Sequence, residues 1–129
     1  MKKLLVLFAA LLGVSLLAAC GSSGSVTTVD PQAFLSTAKQ QGVVVVDVRT
    51  PSEYAAGHVD GAINIDVEGG SFDAEIAKLD KNATYAVYCH SGRRSGLATD
   101  AMAKAGFTHV YNLQGGISDL QSAGATIVG

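Results

Sequence analysis

Cys89 closes an apolar, strand-like run, Thr84 Tyr85 Ala86 Val87 Tyr88, and is followed by His90 Ser91 Gly92 Arg93 Arg94 Ser95. A thiol reacts as its thiolate, and neighbouring cations and a helix N-terminus both lower a thiol's pKa. This segment offers both. The six residues Cys89 to Arg94 separate a strand end from a helix expected to begin near Ser95. Curled into an arc, they would point successive backbone N–H groups inward as an anion nest, and the helix dipole would add positive potential at its centre. Cys89 then lies at the focus, and its thiolate needs no histidine base. Gly92 leaves room for close approach of a ligand.

The candidate binding residues are therefore His90, Ser91, Gly92, Arg93, Arg94 and Ser95, with His90 at an exposed rim. Cations at a helix N-terminus are disfavoured by roughly 0.3 to 1 kcal/mol each. Helix stability thus does not explain Arg93 and Arg94, whereas binding an anion does. The competing reading is a buried, inert cysteine beside two solvated arginines. Ser95 has two open roles, a hydrogen bond to the sulfur or a cap on the helix. Asp47, Arg49, Glu53 and His58 form a supporting set. Arg49 is expected to pair with Glu53 one helical turn later, Asp47 to bond backbone near the reactive loop, and His58 to steady the loop Gly57 His58 Val59 Asp60 Gly61. His109 opens a strand and reads as structural. With three scattered histidines and one free cysteine, neither a metal site nor a cofactor is expected.

These side chains need a scaffold that brings loops together. Val43 to Val46 is a continuous β-branched run of the kind buried on both faces of a parallel sheet. Ala62 to Ile65, Thr84 to Tyr88 and His109 to Asn112 are further strand candidates, with Val26 to Thr28 as an edge. Between them lie helix signals. Asp30 Pro31 and Thr50 Pro51 each pair a capping residue with proline at the first helical position. Phe72 to Leu79 carries an apolar side, Ala98, Ala101, Met102 and Ala105 form a stripe stopped by Gly106, and Gly116 to Ala123 holds a last helix. Repeated β, α alternation argues for an α/β fold with a mostly parallel central sheet flanked by helices. In such folds the working loops leave the carboxyl ends of the strands. That rule predicts convergence of Asp47 to Arg49, Cys89 to Arg94 and Leu113 to Gly116.

The first residues read differently. Met1 Lys2 Lys3 and the apolar stretch Leu4 to Leu17 form an export signal, shorter than the roughly 20 apolar residues that a spanning helix needs. Leu17 Ala18 Ala19 Cys20 resembles the lipobox of bacterial lipoprotein signals, which implies cleavage before Cys20 and lipidation of that residue. Residues 1–19 are thus expected to be the signal peptide, 20–25 the lipidated cysteine with a Gly/Ser tether, and 26–129 the folded domain. The expected location is the outer face of the plasma membrane or the outer membrane facing the periplasm, with Gly21 favouring the latter in a two-membrane bacterium. Losing Lys2 and Lys3 from nine basic residues leaves seven against eleven acidic ones, a net charge of −4 with histidines neutral. Nucleic acid is not an expected partner. With Cys20 acylated, Cys89 is the single free thiol. Outside the cytosol such a thiol is open to oxidation, so a reductant partner is expected unless a persulfide is the resting state.

Three segments together carry a family resemblance. Asp47 Val48 Arg49 Thr50 Pro51 Ser52 Glu53 Tyr54 through Ile65 resembles the signature segment of rhodanese domains. Cys89 to Ser95 is similar to their active-site loop, and Leu113 Gln114 Gly115 Gly116 Ile117 to their C-terminal segment. The resemblance implies a thiosulfate sulfurtransferase-like enzyme that works through a persulfide on Cys89. A small anionic sulfur donor such as thiosulfate would be its first substrate, and cyanide or a thiol the acceptor. The chain departs from the family in having no tryptophan after the last glycine pair, where Ser118 Asp119 Leu120 stands, which leaves the packing of the last helix open. A noncatalytic sulfur carrier or protein-binding module is the alternative. Phosphatase or arsenate reductase activity fits less well. Related cysteine phosphatases place five residues between nucleophile and arginine, whereas Arg94 follows Cys89 after four, and Ser95 holds the phosphatase position.

Overall fold

Val43 to Val46 extend with Asp47 into β2 (Val43–Asp47), and Thr84 to Tyr88 form β5 (Thr84–Tyr88), paired in parallel along their whole length. The computed structural model describes residues 25–129; the expected signal peptide, Cys20 and the expected tether up to residue 24 lie outside the described residues. Around β2 and β5 are β1 (Val26–Val29), β4 (Ile63–Asn64) and β6 (His109–Leu113), in the order β1-β6-β5-β2-β4. Every pairing in this sheet is parallel. The expected α/β fold is the one observed, with Val26 to Val29 at the edge.

Each helix packs on one face of the sheet. α1 (Pro31–Ala38) starts where Asp30 accepts the N–H of Ala33 at 2.8 Å, with Pro31 supplying the preset φ of the first turn. It packs Phe34 beside Leu120 of α5 (Ile117–Ser122), Tyr88 and Leu113. On the other face, α3 (Phe72–Ile76) and α4 (Arg93–Lys104) bury Phe72, Ile76, Ala98 and Met102 against Val46, Val87, Cys89 and Val110. Leu120 is fully buried, so the last helix is docked by a leucine in a chain without tryptophan. α3 is shorter than its apolar pattern predicts. After Ile76 the bonds Lys78 N–H to Glu75 and Leu79 N–H to Ile76 tighten the chain into turns that still bring Leu79 against the core.

A second, two-stranded antiparallel sheet joins β3 (His58–Val59) to β7 (Ile127–Val128). Two-residue strands carry no readable periodicity, and neither was expected. His58 accordingly lies in a strand, its ring stacked 3.6 Å from that of Tyr54 and its Nδ1 bonded to the Tyr54 carbonyl oxygen at 2.8 Å. Tyr54 belongs to α2 (Pro51–Ala56) and donates its hydroxyl to the carbonyl of Ala62 at 2.6 Å.

The small sheet is tied to the large one through a buried polar cluster. Asp47 has no exposed surface, and its Oδ2 accepts from Tyr88 Oη and from Arg49 Nη2, both at 2.7 Å. Tyr88 Oη in turn accepts the N–H of Val59 at 3.0 Å, and Arg49 Nη2 also donates to the carbonyl of Gly57 at 2.6 Å. Burial pushes the Tyr88 hydroxyl well above its ordinary pKa, so it stays a donor to Asp47. Tyr88→Phe leaves the Val59 N–H without its acceptor and removes one donor from Asp47. We predict a loss of about 1–3 kcal/mol in urea unfolding, the cost of buried unsatisfied groups. A loss below about 0.5 kcal/mol, the level of a neutral surface change, would show that other contacts hold the small sheet.

Candidate functional site

Residues at alternate positions of a strand face opposite sides, and this decides which candidates meet. Tyr88 turns toward Phe34 and Leu120, and Cys89, one residue on, packs with Val46, Val48, Ile65 and Ala98 on the other face. Leaving β5, the chain makes only a short arc, His90 to Gly92, because α4 begins at Arg93 rather than near Ser95. Gly92 is the N-cap with φ +107°, a left-handed conformation that glycine adopts without strain, and it has no side chain with which to cap the helix. The Cys89 sulfur takes that place. The Gly92 N–H donates to Sγ at 2.9 Å.

Cys89 is fully buried, and burial by itself raises a thiol's pKa. Here that effect is the largest single one, yet it is outweighed. A hydrogen bond from the Ser95 hydroxyl and N–H bonds from Ser95, Gly92 and Ser91 together bring the thiol below its ordinary value. Ser95 is itself fully buried and its hydroxyl lies 3.3 Å from the Gly92 carbonyl oxygen, an acceptor that competes with the sulfur for the single hydroxyl proton. His90 is exposed, at the outer side of the arc.

The three loops at the carboxyl end of the sheet do converge. Val48 N–H bonds the Tyr88 carbonyl at 3.1 Å, and Ile117 N–H bonds that of Cys89 at 3.1 Å. Gly116 lies so close to the reactive loop that a Cβ there would collide with the carbonyl oxygen of His90. A Cβ on Gly92 would in turn stand 3.4 Å from the Gly115 carbonyl. The glycine pair is thus a close-contact surface against which the arc is set.

The charged groups pair differently from the sequence reading. Arg49 does not bond Glu53. The pleat puts Asp47 and Arg49 on the same side, and the guanidinium closes on Asp47 through Nε and Nη2 at 2.7–3.1 Å. Asp47 reaches backbone at Arg49 N–H, 2.9 Å away, and not in the reactive loop. Neither side chain hydrogen-bonds that loop; they act through the backbone that they fix. Glu53 instead completes the capping box of α2 with Thr50 and grips Arg94 with both oxygens, at 2.7 and 2.9 Å. The Arg94 bond is the chief reason that the Glu53 carboxyl is held down to about 2. Arg94 is raised above its ordinary value by Glu53 first, with the charges of Cys89 and Glu68 adding to the effect.

Glu68 was not foreseen. It lies in the loop after β4, where Asp66 Oδ1 accepts its N–H at 2.9 Å, and it pairs with Arg93 at 3.0 Å and approaches Arg94 at 4.0 Å. No spacing rule links position 68 to position 93. Both arginines therefore have carboxylate partners. Their presence at the helix start is explained first by these ion pairs, and the binding of an external anion must be argued against that competition.

A family model described as the rhodanese-like domain matches residues 30–123. Thiosulfate sulfurtransferase PspE of Escherichia coli (strain K12) is 44% identical over 75 residues, which cover 58% of this chain and 71% of that protein. Thiosulfate sulfurtransferase GlpE of Pseudomonas putida (strain KT2440) is 36% identical over 88 residues, 68% of this chain and 78% of the relative. Among solved structures, the Alr3790 protein from Anabaena sp. superposes with a TM-score of 0.70 at 27% identity, covering 78% of this chain and 82% of that one. A rhodanese with anions from E. coli gives 0.55 at 40% identity, covering 67% and 96%.

Because Ser95 is the first among the groups that lower the thiol pKa, Ser95→Ala moves the midpoint upward. The pH dependence of Cys89 alkylation by iodoacetamide reads this directly. The wild-type midpoint is expected below the free-thiol value of about 8.5, and that of the variant above wild type. Equal midpoints would remove Ser95 from the thiolate's support.

Proposed function

The chain belongs to the rhodanese-like domain family, and we propose that it is a sulfurtransferase that passes a sulfane sulfur through a persulfide on Cys89. The observation that carries this reading is the Cys89 thiol surrounded by inward hydrogen-bond donors and brought below its ordinary pKa without a base. In the first half-reaction the thiolate attacks the outer sulfur of thiosulfate. The new bond joins Sγ to that sulfur, the donor's S–S bond breaks, and sulfite leaves with the electron pair. The persulfide anion left on Cys89 has the same charge as the thiolate, displaced by one bond.

Fixed N–H dipoles suit such a cycle because each stage is anionic and none requires the donors to reorient. In the second half-reaction cyanide attacks the outer sulfur, thiocyanate leaves, and the Cys89 thiolate is restored. A thiol acceptor, reacting as its thiolate, would take the same sulfur as a persulfide. Ser95 and the arc His90 to Gly92 hold the sulfur; Asp47, Arg49, Glu53 and His58 fix the backbone and the helix start around it. The names of the PspE and GlpE relatives support thiosulfate as a donor.

Export and lipid anchoring through Cys20 complete the proposal. They rest on the leader and the Leu17 to Cys20 segment. An exported thiol of lowered pKa is prone to oxidation, and either a reductant partner or a resting persulfide would protect it.

Two measurements test these parts separately. Thiocyanate formation from thiosulfate and cyanide is expected for the wild type and is abolished in Cys89→Ser. No turnover by folded protein with a free thiol would contradict the enzyme and leave the carrier reading. Cys20→Ala is expected to block lipoprotein processing and release the protein from membranes. Unchanged processing and membrane association would exclude the anchor.

A further inference from the structure

Two guanidiniums, Arg93 and Arg94, stand at the start of the helix behind Cys89, and two carboxylates, Glu53 and Glu68, answer them. The charges cancel, so the thiolate leaves this mouth with a net negative charge. A small anion approaching it therefore meets less attraction than the two arginines alone would provide. The two pairs differ in how firmly they hold. Arg94 and Glu53 are joined by two bonds, with side chains 14% and 32% exposed, and Glu53 is also fixed by the capping box of α2. Arg93 and Glu68 share a single bond at 3.0 Å, with side chains 67% and 46% exposed. Exposed single pairs in water are weak and readily exchanged. Arg93 is thus the guanidinium that an incoming anion can take from its partner, and Glu68 is the group that must be displaced.

The placement of Glu68 is not incidental to the loop that carries it. The chain from Ile65 to Val67 is pinned to the sheet end by Ile65 N–H to the Asp47 carbonyl and Val67 N–H to the Val48 carbonyl. Ile65 and Val67 pack in the same cluster as Cys89. Asp66 then turns the chain so that Glu68 faces the arginines, with Gly69 and Gly70 following. A carboxylate is so held beside the reactive loop by contacts that do not depend on its own ion pair.

We propose that Glu68 is a specificity-setting residue that competes with anionic substrates for Arg93 and biases access to Cys89 toward sulfur donors of lower negative charge. This rests on the sulfurtransferase reading only in taking the substrate to be a sulfur donor. The charge bias itself is a property of access to the thiolate, and it acts through Arg93 without Glu68 touching the reacting atoms.

The test uses two alkylating agents of similar size. Iodoacetate is an anion and iodoacetamide is neutral, and both react with the thiolate by forming an S–C bond as iodide leaves. Their rate ratio cancels changes in thiolate fraction and reports charge at the mouth, which a merely structural role of Glu68 would not move. Glu68→Gln is expected to raise the iodoacetate to iodoacetamide ratio about threefold at low salt, the scale of one unit charge acting through several ångströms of water-like medium. Arg93→Gln is expected to lower it. In thiosulfate kinetics, Glu68→Gln is expected to lower KM severalfold with kcat nearly unchanged.

An unchanged ratio in Glu68→Gln overturns the proposal, whether or not Arg93→Gln lowers it. Alkylation needs only the thiolate, so this outcome is read even if thiosulfate is not turned over. A raised ratio without turnover would retain the charge bias and reject the sulfurtransferase reading.

Discussion

A charged sulfur atom removed from water must find its solvation in the protein, and the region around Cys89 is arranged to supply it. Burial alone works against the thiolate. The Ser95 hydroxyl and the N–H groups of Ser95, Gly92 and Ser91 overcome that penalty, and hydrogen bonds to charged groups contribute about 1.5–3 kcal/mol each. These donors are available because α4 starts on a glycine that offers no side-chain cap. The turn at Gly92 and the close seat of the arc against Gly115 and Gly116 follow from the same need. A side chain at Gly116 would collide with the His90 carbonyl oxygen and push the loop aside.

The opposite face of the sheet has a complementary task. Asp47, Arg49 and Tyr88 satisfy one another in the interior and bind the small sheet at Gly57 and Val59. Breaking a buried pair of this kind typically costs 3–5 kcal/mol, so the cluster is held as a unit. Tyr88 and Cys89 are successive residues, and the pleat divides them between the two tasks. What fixes Tyr88 on one face also fixes the backbone from which Cys89 projects on the other. Supporting residues can thus act on the thiol without approaching it.

Much of this was legible in the sequence because it depends on local chemistry. The valine run, the Asp30 and Thr50 caps with their prolines, and the stripe ending at Gly106 specify strands and helices that the structure contains. The carboxyl-end rule likewise placed three loops together, as the bonds from Val48 and Ile117 show. Ion pairs were less legible. The i, i+4 spacing of Arg49 and Glu53 suggested a partnership, but Arg49 is drawn to a buried carboxylate two residues away and Glu53 to an arginine 41 residues on. Glu68 left no sequence signal, since its pairing with Arg93 exists only once the parallel strands β4 and β5, on either side of β2, point their carboxyl ends the same way. The two-residue strands β3 and β7 are tertiary in origin for the same reason.

Hydrogen-bond donors of the loop, and no histidine base, bring the Cys89 thiol below its ordinary pKa. Titration of thiolate ultraviolet absorbance in the wild type and in His90→Ala tests this central claim most directly. The account predicts a midpoint below the free-thiol value of about 8.5 and the same midpoint in the variant. A midpoint at or above that value, or one that rises when the imidazole is removed, would contradict it.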